Sequence, residues 1–521
     1  MEINSFNYKT SIASTDCSEE IARFKELQRD FAPQFELVFP DTMAAKTVVV
    51  IPSLSLDQQI LQKVEGSMHY EERMLCLLML LRMPHTSIIY VTSTEVDSVI
   101  LDYYLHLLPG ITGYHARQRI KFFSCYDSSS KSLTEKILER PRLINRIRKA
   151  IPAGDLAHMA CFNVTEAERK LSVQLNIPIF GCDPDLLYLG SKSNGRKLFK
   201  IAGLHVAEGY EDLNTIDEIV IALAQLKLKI PLLSKAVIKI NEGFSGEGNA
   251  IFNFKGSPSE NELYQWVYEQ LPKRLYIIAV ALSYEDFMAK FNSLGGVVEA
   301  FIDGLQKQSP SVQCRINPLG KIDIISTHDQ VLGGNSSQVF LGATFPASHH
   351  YSVEIAALAN RVSEELKWHG VLGRFSVDFI SVKVGEEWQH YAVEINLRKG
   401  GTTHPYLMLQ FLTDGKYDAE KGLYFTANGL PRYYVCSDTV QQERYKGLTP
   451  HDLMEIAICN GLLYDSCRQE GVMFHLIGAL SQFGKLGLVC IGSTLHRAKM
   501  LYKKTIEVLD KETINEAINN Y

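Results

Sequence analysis

Segment 393–401 carries a carboxylate, an amide and a guanidinium at alternate positions: Glu394, Asn396 and Arg398. On a β-strand alternate side chains leave the same face, so the three share one surface if the segment is extended. Just upstream, residues 373–380 read as another strand, in which Asp378 is the one acid between apolar neighbours and could face the same cavity. Two carboxylates and an amide oxygen are hard ligands suited to Mg²⁺. A guanidinium beside them suits a phosphoryl or acyl oxyanion.

A second constellation lies earlier. Lys239 projects from an apolar strand, and the turn that follows, with Gly243, Phe244, Ser245 and Gly246, can present backbone N–H groups to phosphate oxygens. The two common phosphate signatures are missing. Each Gly-Lys pair, at Gly320, Gly415 and Gly484, is followed by Ile, Tyr or Leu, so there is no Walker loop. Gly246 and Gly248 are followed by Ile251 where a dinucleotide fingerprint needs its third glycine. Hydride chemistry therefore loses its usual warrant.

The elements that must position these groups follow from hydrophobic patterning. Residues 47–180 alternate apolar strands with helical stretches, including an amphipathic run to Leu81, and predict a parallel sheet between helices. This domain is expected to span 1–190. The domain expected over 191–412 opens with a helix whose first turn carries Lys192 and which stops before Gly203, a C-cap. It continues through the hairpin 236–252 and an apolar strand at 296–302, and ends on the Asp378 and Glu394 strands; its nucleotide lobe is expected over about 191–302 and its metal-binding lobe over about 303–412. The acidic, glycine-bearing stretch 413–422 reads as a linker, and 413–521 as a small α+β unit.

Composition narrows the partners. The chain has 521 residues, with 53 basic and 59 acidic side chains and a net charge of −6, which offers no polybasic field for nucleic acid or an anionic membrane. Its longest apolar block, 74–81, is far short of a membrane span, and the N-terminus lacks the pattern of a signal peptide. Ten cysteines are scattered without a CxxC pair, which suits reduced thiols and a cytoplasmic location. The oligomeric state stays open, a homo-oligomer included.

Lysine in an early helix, lysine before a glycine-rich hairpin, an apolar strand bearing Glu299, then Asp378 and Glu394-x-Asn396-x-Arg398 resembles the sequential plan of the ATP-grasp superfamily. The segments 51–57 and 69–73, Ser191 to Ser193 with Arg196, and 398–405 look most like the pheganomycin-type peptide ligases. The resemblance implies an α/β and α+β multidomain protein with a central ATP-grasp fold, using ATP and one or two Mg²⁺ ions. It places Lys192 and Lys239 on the nucleotide phosphates, with Lys197 as a weaker alternative to Lys192. Glu299 would accept from the adenine amino group, with the main chain of Ala300, Phe301 and Ile302 against the ring edge. Asp378, Glu394 and Asn396 would hold the metal, and Arg398 would serve the transition state. His404, held extended by Pro405, is a candidate base or merely a loop cap.

The activity implied is amide formation between a small-molecule carboxylate and an amine, an amino acid or peptide, through an acyl phosphate. An ATP-grasp phosphotransferase and a catalytically retired nucleotide-binding scaffold are the alternatives. The segment His69 to Arg73 is either a solvated first turn or a substrate-selecting cluster.

Overall fold

A computed structural model of the chain describes residues 15–55, 65–243, 248–278, 282–333 and 339–519. Ser245 and Gly246, and residues 56–57 of the motif at 51–57, lie outside them.

The N-terminal strands β1 (Lys46–Ile51), β2 (Thr86–Thr92), β3 (Ile120–Ser124) and β4 (Leu156–Cys161) form a parallel sheet in the order β3-β2-β1-β4. Every residue of β1 is buried, as expected of a parallel strand covered on both faces. The helix Glu166–Leu175 starts where Thr165 and Glu168 satisfy each other's backbone N–H groups. The segment Ser67–Arg82 is not the amphipathic helix expected. It is wound at 3₁₀ pitch and buried without interruption from Glu71 to Met79, because its neighbours are β2 on one side and the helix Thr403–Thr413 on the other.

The next unit is an antiparallel sheet of β5 (Gly209–Leu213), β6 (Lys235–Ile240), β7 (Asn249–Asn253), β8 (Leu275–Ile277) and β9 (Gly296–Ala300), in the order β5-β9-β6-β7-β8. Helices Ile216–Lys229, Leu263–Arg274 and Tyr284–Leu294 contribute Leu223, Val267 and Phe291 to a core with Ile238 and Phe252. The helix Lys192–Ile201 leads into this unit and stops as the sequence predicts. Gly203 takes φ +69° and the Leu204 N–H donates to the Phe199 carbonyl at 2.8 Å, the Schellman closure for which glycine is favoured.

The largest sheet gathers β10 (Lys307–Gln308), β11 (Pro310–Ile316), β12 (Ile322–Gly333), β13 (Val339–Phe345), β14 (Gly373–Val384), β15 (Glu387–Asn396), β18 (Tyr433–Gln441), β19 (Gly471–His475) and β20 (Lys485–Gly492). Its order is β10-β14-β11-β12-β13-β18-β20-β19, with β15 on the free edge of β14. The sheet thus runs across the boundary expected at 412/413. The stretch expected as a linker instead contains a hairpin, β16 (Lys416–Asp418) and β17 (Leu423–Phe425). The C-terminal region is α+β, as the sequence suggests, but it shares a hydrophobic core with the first domain: Val48, Leu75 and Tyr90 belong to the same cluster as Tyr434, Leu488 and Ile491. No described helix is long and apolar enough to cross a membrane.

Candidate active site

The strands β14 and β15 bring their polar residues together. In register, Asp378 lies opposite Glu394 and Ser376 opposite Asn396, while Ser311 of β11 flanks Asp378 on its other side. Like charges directly across a ladder repel, so this pairing needs cations. The Ser311 hydroxyl donates to Asp378 Oδ1 at 2.6 Å and the Asn396 amide to Asp378 Oδ2 at 3.0 Å. Burial and the facing Glu394 nevertheless push the Asp378 carboxyl above its usual range. Burial also acts to raise Glu394, but Lys192 and Arg398 outweigh it and hold that carboxyl below its ordinary value. Arg398 donates to Asn396 Oδ1 at 3.1 Å and to the Lys399 carbonyl at 3.1 Å.

Lys192 is ion-paired with Glu394. It arrives there because Ser191 caps the helix by accepting from the Asn194 N–H, and because Asn241 grips the same terminus. The Lys192 N–H donates to the Asn241 carbonyl at 3.2 Å, and the Ser193 N–H to Asn241 Oδ1 at 2.9 Å. Asn241 follows β6, so the helix start and the Lys239 strand are fixed to each other. At the hairpin neck the Ile240 N–H donates to the Gly248 carbonyl at 2.9 Å, and Gly243 approaches Gly248 so closely that a β-carbon would stand 3.3 Å from its nitrogen.

Glu299 is engaged in a way the sequence reading did not foresee. Its carboxylate is ion-paired with Lys239 and, at 2.7 Å, with Arg196, and all three side chains are nearly closed to water. Burial opposes ionisation, but Lys239 and then Arg196 bring the carboxyl below its ordinary range. Both carboxylate oxygens thus have cationic partners, so this side chain, which still lines the cleft, neutralises two buried cations whether or not it also meets an adenine amino group. Arg196 is held in turn by Glu211 at 2.8 Å and the Ala207 carbonyl at 2.7 Å.

One cleft of about 520 Å³ joins these groups. Lys192, Lys239, Gly243 and residues 299–302 line one side, and Asp378, Glu394, Asn396 and Arg398 the other. Lys197 lies apart, paired with Asp212 at 2.5 Å on the exposed side of its helix. The sequence-based placement of His404 is also corrected. Pro405 does not extend the chain, because it sits in the first turn of Thr403–Thr413, where a missing N–H costs nothing. His404 is buried outside the cleft lining, 2.9 Å from His475. Burial, then His475 and Arg73, keep its imidazole neutral far below the usual histidine range, so it is withdrawn as a base.

A third wall comes from the first domain and the C-terminal strands. Arg73 and Tyr70 line it together with Asp438 of β18. Of the two readings of His69 to Arg73, the solvated turn fails, since Arg73 is buried. Asp438 and Ser311 escaped the sequence reading, although a signal existed. Tyr434, Cys436, Asp438 and Val440 all fall on the buried parity of β18, so Asp438 is a lone acid on an otherwise buried strand face, a mark readable from alternation alone.

Residues 273–420 match a family model described as IQCH-like, ATP-grasp, and the architecture is that of the ATP-grasp fold; residues 452–505 match a PGM1 C-terminal domain. The fold likeness extends to solved structures. The ADP complex of purK, N5-carboxyaminoimidazole ribonucleotide synthetase, is 14% identical with TM-score 0.50, covering 90% of this chain and 98% of that one. Biotin carboxylase from Campylobacter jejuni, solved as a β,γ-ATP complex, is 14% identical with TM-score 0.51 over 88% and 89%.

Among characterised proteins, the chain is 27% identical over 462 residues to the L-propargylglycine–L-glutamate ligase of Streptantibioticus cattleyicolor, spanning 87% of this chain and 92% of that protein. It is 22% identical over 520 residues to IQ motif-containing protein H of Danio rerio, of which it spans 49%.

Proposed function

We propose that this protein is an ATP-dependent carboxylate–amine ligase that joins two small molecules, at least one of them an amino acid, releasing ADP and phosphate. The observation that carries the reading is the Asp378/Glu394 pair set opposite each other beside Lys192 and Arg398 in a cleft shared with Lys239. The similarity over most of both chains to an L-propargylglycine–L-glutamate ligase supports an amino acid as substrate.

ATP lies in the cleft with its phosphates toward Lys192 and Lys239. Each ammonium has three N–H donors, so a lysine paired with one carboxylate can still donate to phosphate. The main chain at 300–302 takes the adenine edge. Asp378, Glu394 and the Asn396 amide oxygen are an all-oxygen donor set that fits Mg²⁺, which characteristically takes one or two protein carboxylates and leaves the rest to phosphates and water. Among the described residues no cluster of three His, Cys, Asp or Glu side chains competes for it. When bound, the ion neutralises phosphate charge as the γ-phosphoryl group moves.

The reaction needs activation because an amine does not displace oxide from a carboxylate. An oxygen of the substrate carboxylate attacks the γ-phosphorus, the bond to ADP breaks, and an acyl phosphate forms. The amine then attacks the acyl carbon, loses a proton, and phosphate departs with the C–O electron pair. Arg398, facing the same surface, stabilises the oxyanion that develops; such a donor is worth roughly 2.7 to 4 kcal/mol.

The test is ADP release from Mg-ATP with L-glutamate and L-propargylglycine as the first acid and amine, followed by acid–amine pools and a search for the condensed mass. Release that requires both partners is expected. ADP with a stable phosphorylated acid and no condensation would assign the protein to phosphotransfer instead, and ATP binding without turnover on any pool would make it a scaffold.

A further inference from the structure

The third wall of the cleft holds a charge pair that the phosphoryl chemistry does not use. Arg73 Nη2 lies 2.9 Å from Asp438 Oδ2, with each side chain 8% exposed. The guanidinium lies over the Tyr70 ring at 3.8 Å, and the Tyr70 hydroxyl accepts from Lys485 Nζ at 2.9 Å. Arg73 is therefore clamped flat. Its Nε–H has no hydrogen-bond partner among the described residues.

A buried ion pair is poor value as a mere tie, because desolvation offsets much of the attraction. This one also lines the cleft instead of a closed core. It comes from the helix Ser67–Arg82 and from β18, neither of which supplies a nucleotide or metal ligand. The Phe162 ring lies 5.9 Å from the guanidinium, and Leu54 and Phe340 line the same cleft, giving the cleft apolar surface to go with a dipolar spot.

We infer that Arg73 and Asp438 form the head-group clamp for an α-amino acid substrate, its carboxylate on the guanidinium fork and its ammonium on the aspartate. An α-amino acid carries the same two charges in reverse order, so laid alongside the pair it closes a ring of four alternating charges. The planar fork of Arg73 has N–H donors left for a second carboxylate, and the apolar surface receives the side chain. This inference rests on the ligase reading and adds to it the part of the substrate that is recognised. A plain amine or a plain acid would satisfy one half of the pair only.

Calorimetry with the full-length protein in Mg-AMPPNP measures binding of the proteinogenic L-amino acids, their carboxamides and their N-acetyl derivatives. At least one amino acid is expected to bind, with its carboxamide and N-acetyl forms each at least tenfold weaker. Arg73→Met should bring amino acid and carboxamide within about twofold while leaving AMPPNP affinity in place, and Asp438→Asn should do the same for the N-acetyl form. Arg73→Lys, which keeps the charge without the fork, should fall between and serves if Arg73→Met does not fold.

A folded Arg73→Met that still separates amino acid from carboxamide as the wild type does would overturn the inference. So would wild-type ligation of acid and amine pairs containing no α-amino acid in preference to pairs that contain one. Either result leaves the ligase reading standing; that reading fails only if the wild type shows no acid- and amine-dependent ADP release.

Discussion

Replacing Glu299 by glutamine separates two roles for that side chain. If its carboxylate serves adenine alone, the amide oxygen of Glu299→Gln still accepts a hydrogen bond, and the change falls on ATP affinity with the free protein as stable as before. The structure gives another outcome. Glu299 neutralises Lys239 and Arg196 in a nearly water-free setting, and removing one partner from a buried pair costs about 3–5 kcal/mol. Arg196 keeps Glu211 and a carbonyl, and the amide oxygen still accepts from one cation, so the low end applies, about 3 kcal/mol.

At roughly 2–4 °C per kcal/mol for a domain-sized unit, the melting temperature without nucleotide should fall by roughly 6 °C or more. The gap has a pH signature. The Glu299 carboxyl is held below its unfolded-state value, so its contribution is complete above the ordinary carboxylate range and is lost as pH falls through the folded value. Wild type and variant should therefore converge in acid. Differential scanning fluorimetry of the ligand-free proteins from pH 7 downward reads both effects. Equal melting at pH 7 alongside a raised KM for ATP would refute this account and leave adenine as the partner of that carboxylate.

Glu394→Gln should reduce acid- and amine-dependent ADP formation by at least about 100-fold, in line with electrostatic terms of a few kcal/mol; near-normal turnover would sink the metal assignment. Arg398→Met should lower kcat by about 10²–10³ with little change in ATP affinity, measured by steady-state kinetics against equilibrium binding. His404→Gln should leave the shape of the pH–rate profile intact, since this imidazole lies outside the cleft; loss of a limb of that profile would return it to the reaction. His158 is stacked against Phe31 at 5.7 Å, and burial pushes its pKa down to about 3. The unfolded chain then takes up a proton below about pH 6.5 that the folded one refuses, and stability falls with falling pH by about 1.4 kcal/mol per unit down to the folded value. His158→Phe should flatten that slope in chemical denaturation between pH 6.5 and 5.5.

Side-chain alternation made much of the cleft legible in advance. Asp378 and the Glu394, Asn396, Arg398 series could be aimed at one cavity because a strand has a strict period of two, and Gly203 marked the end of a helix by capping chemistry. What escaped depended on partners distant in sequence. That Glu299 meets Arg196 follows from β9 closing over the helix Lys192–Ile201, which no local pattern encodes. The helix Thr403–Thr413 was hidden by Pro405, whose usual extended influence vanishes in a first turn. Arg73 could be read either as solvated or as facing the cleft, because its partner Asp438 on β18 lies more than three hundred residues later in the chain.

The strand β18 has a further consequence for anyone dividing this chain. Its pairing with β13 means that a protein cut after residue 412 would present a row of unsatisfied N–H and C=O groups along β13, a template for association with other chains. Cys436, Leu488 and Ile491, which belong to the shared hydrophobic cluster, would leave with the fragment and strip the first domain of its covering. Fragments split at that point should aggregate apart and recover solubility when coexpressed, as complementing halves do.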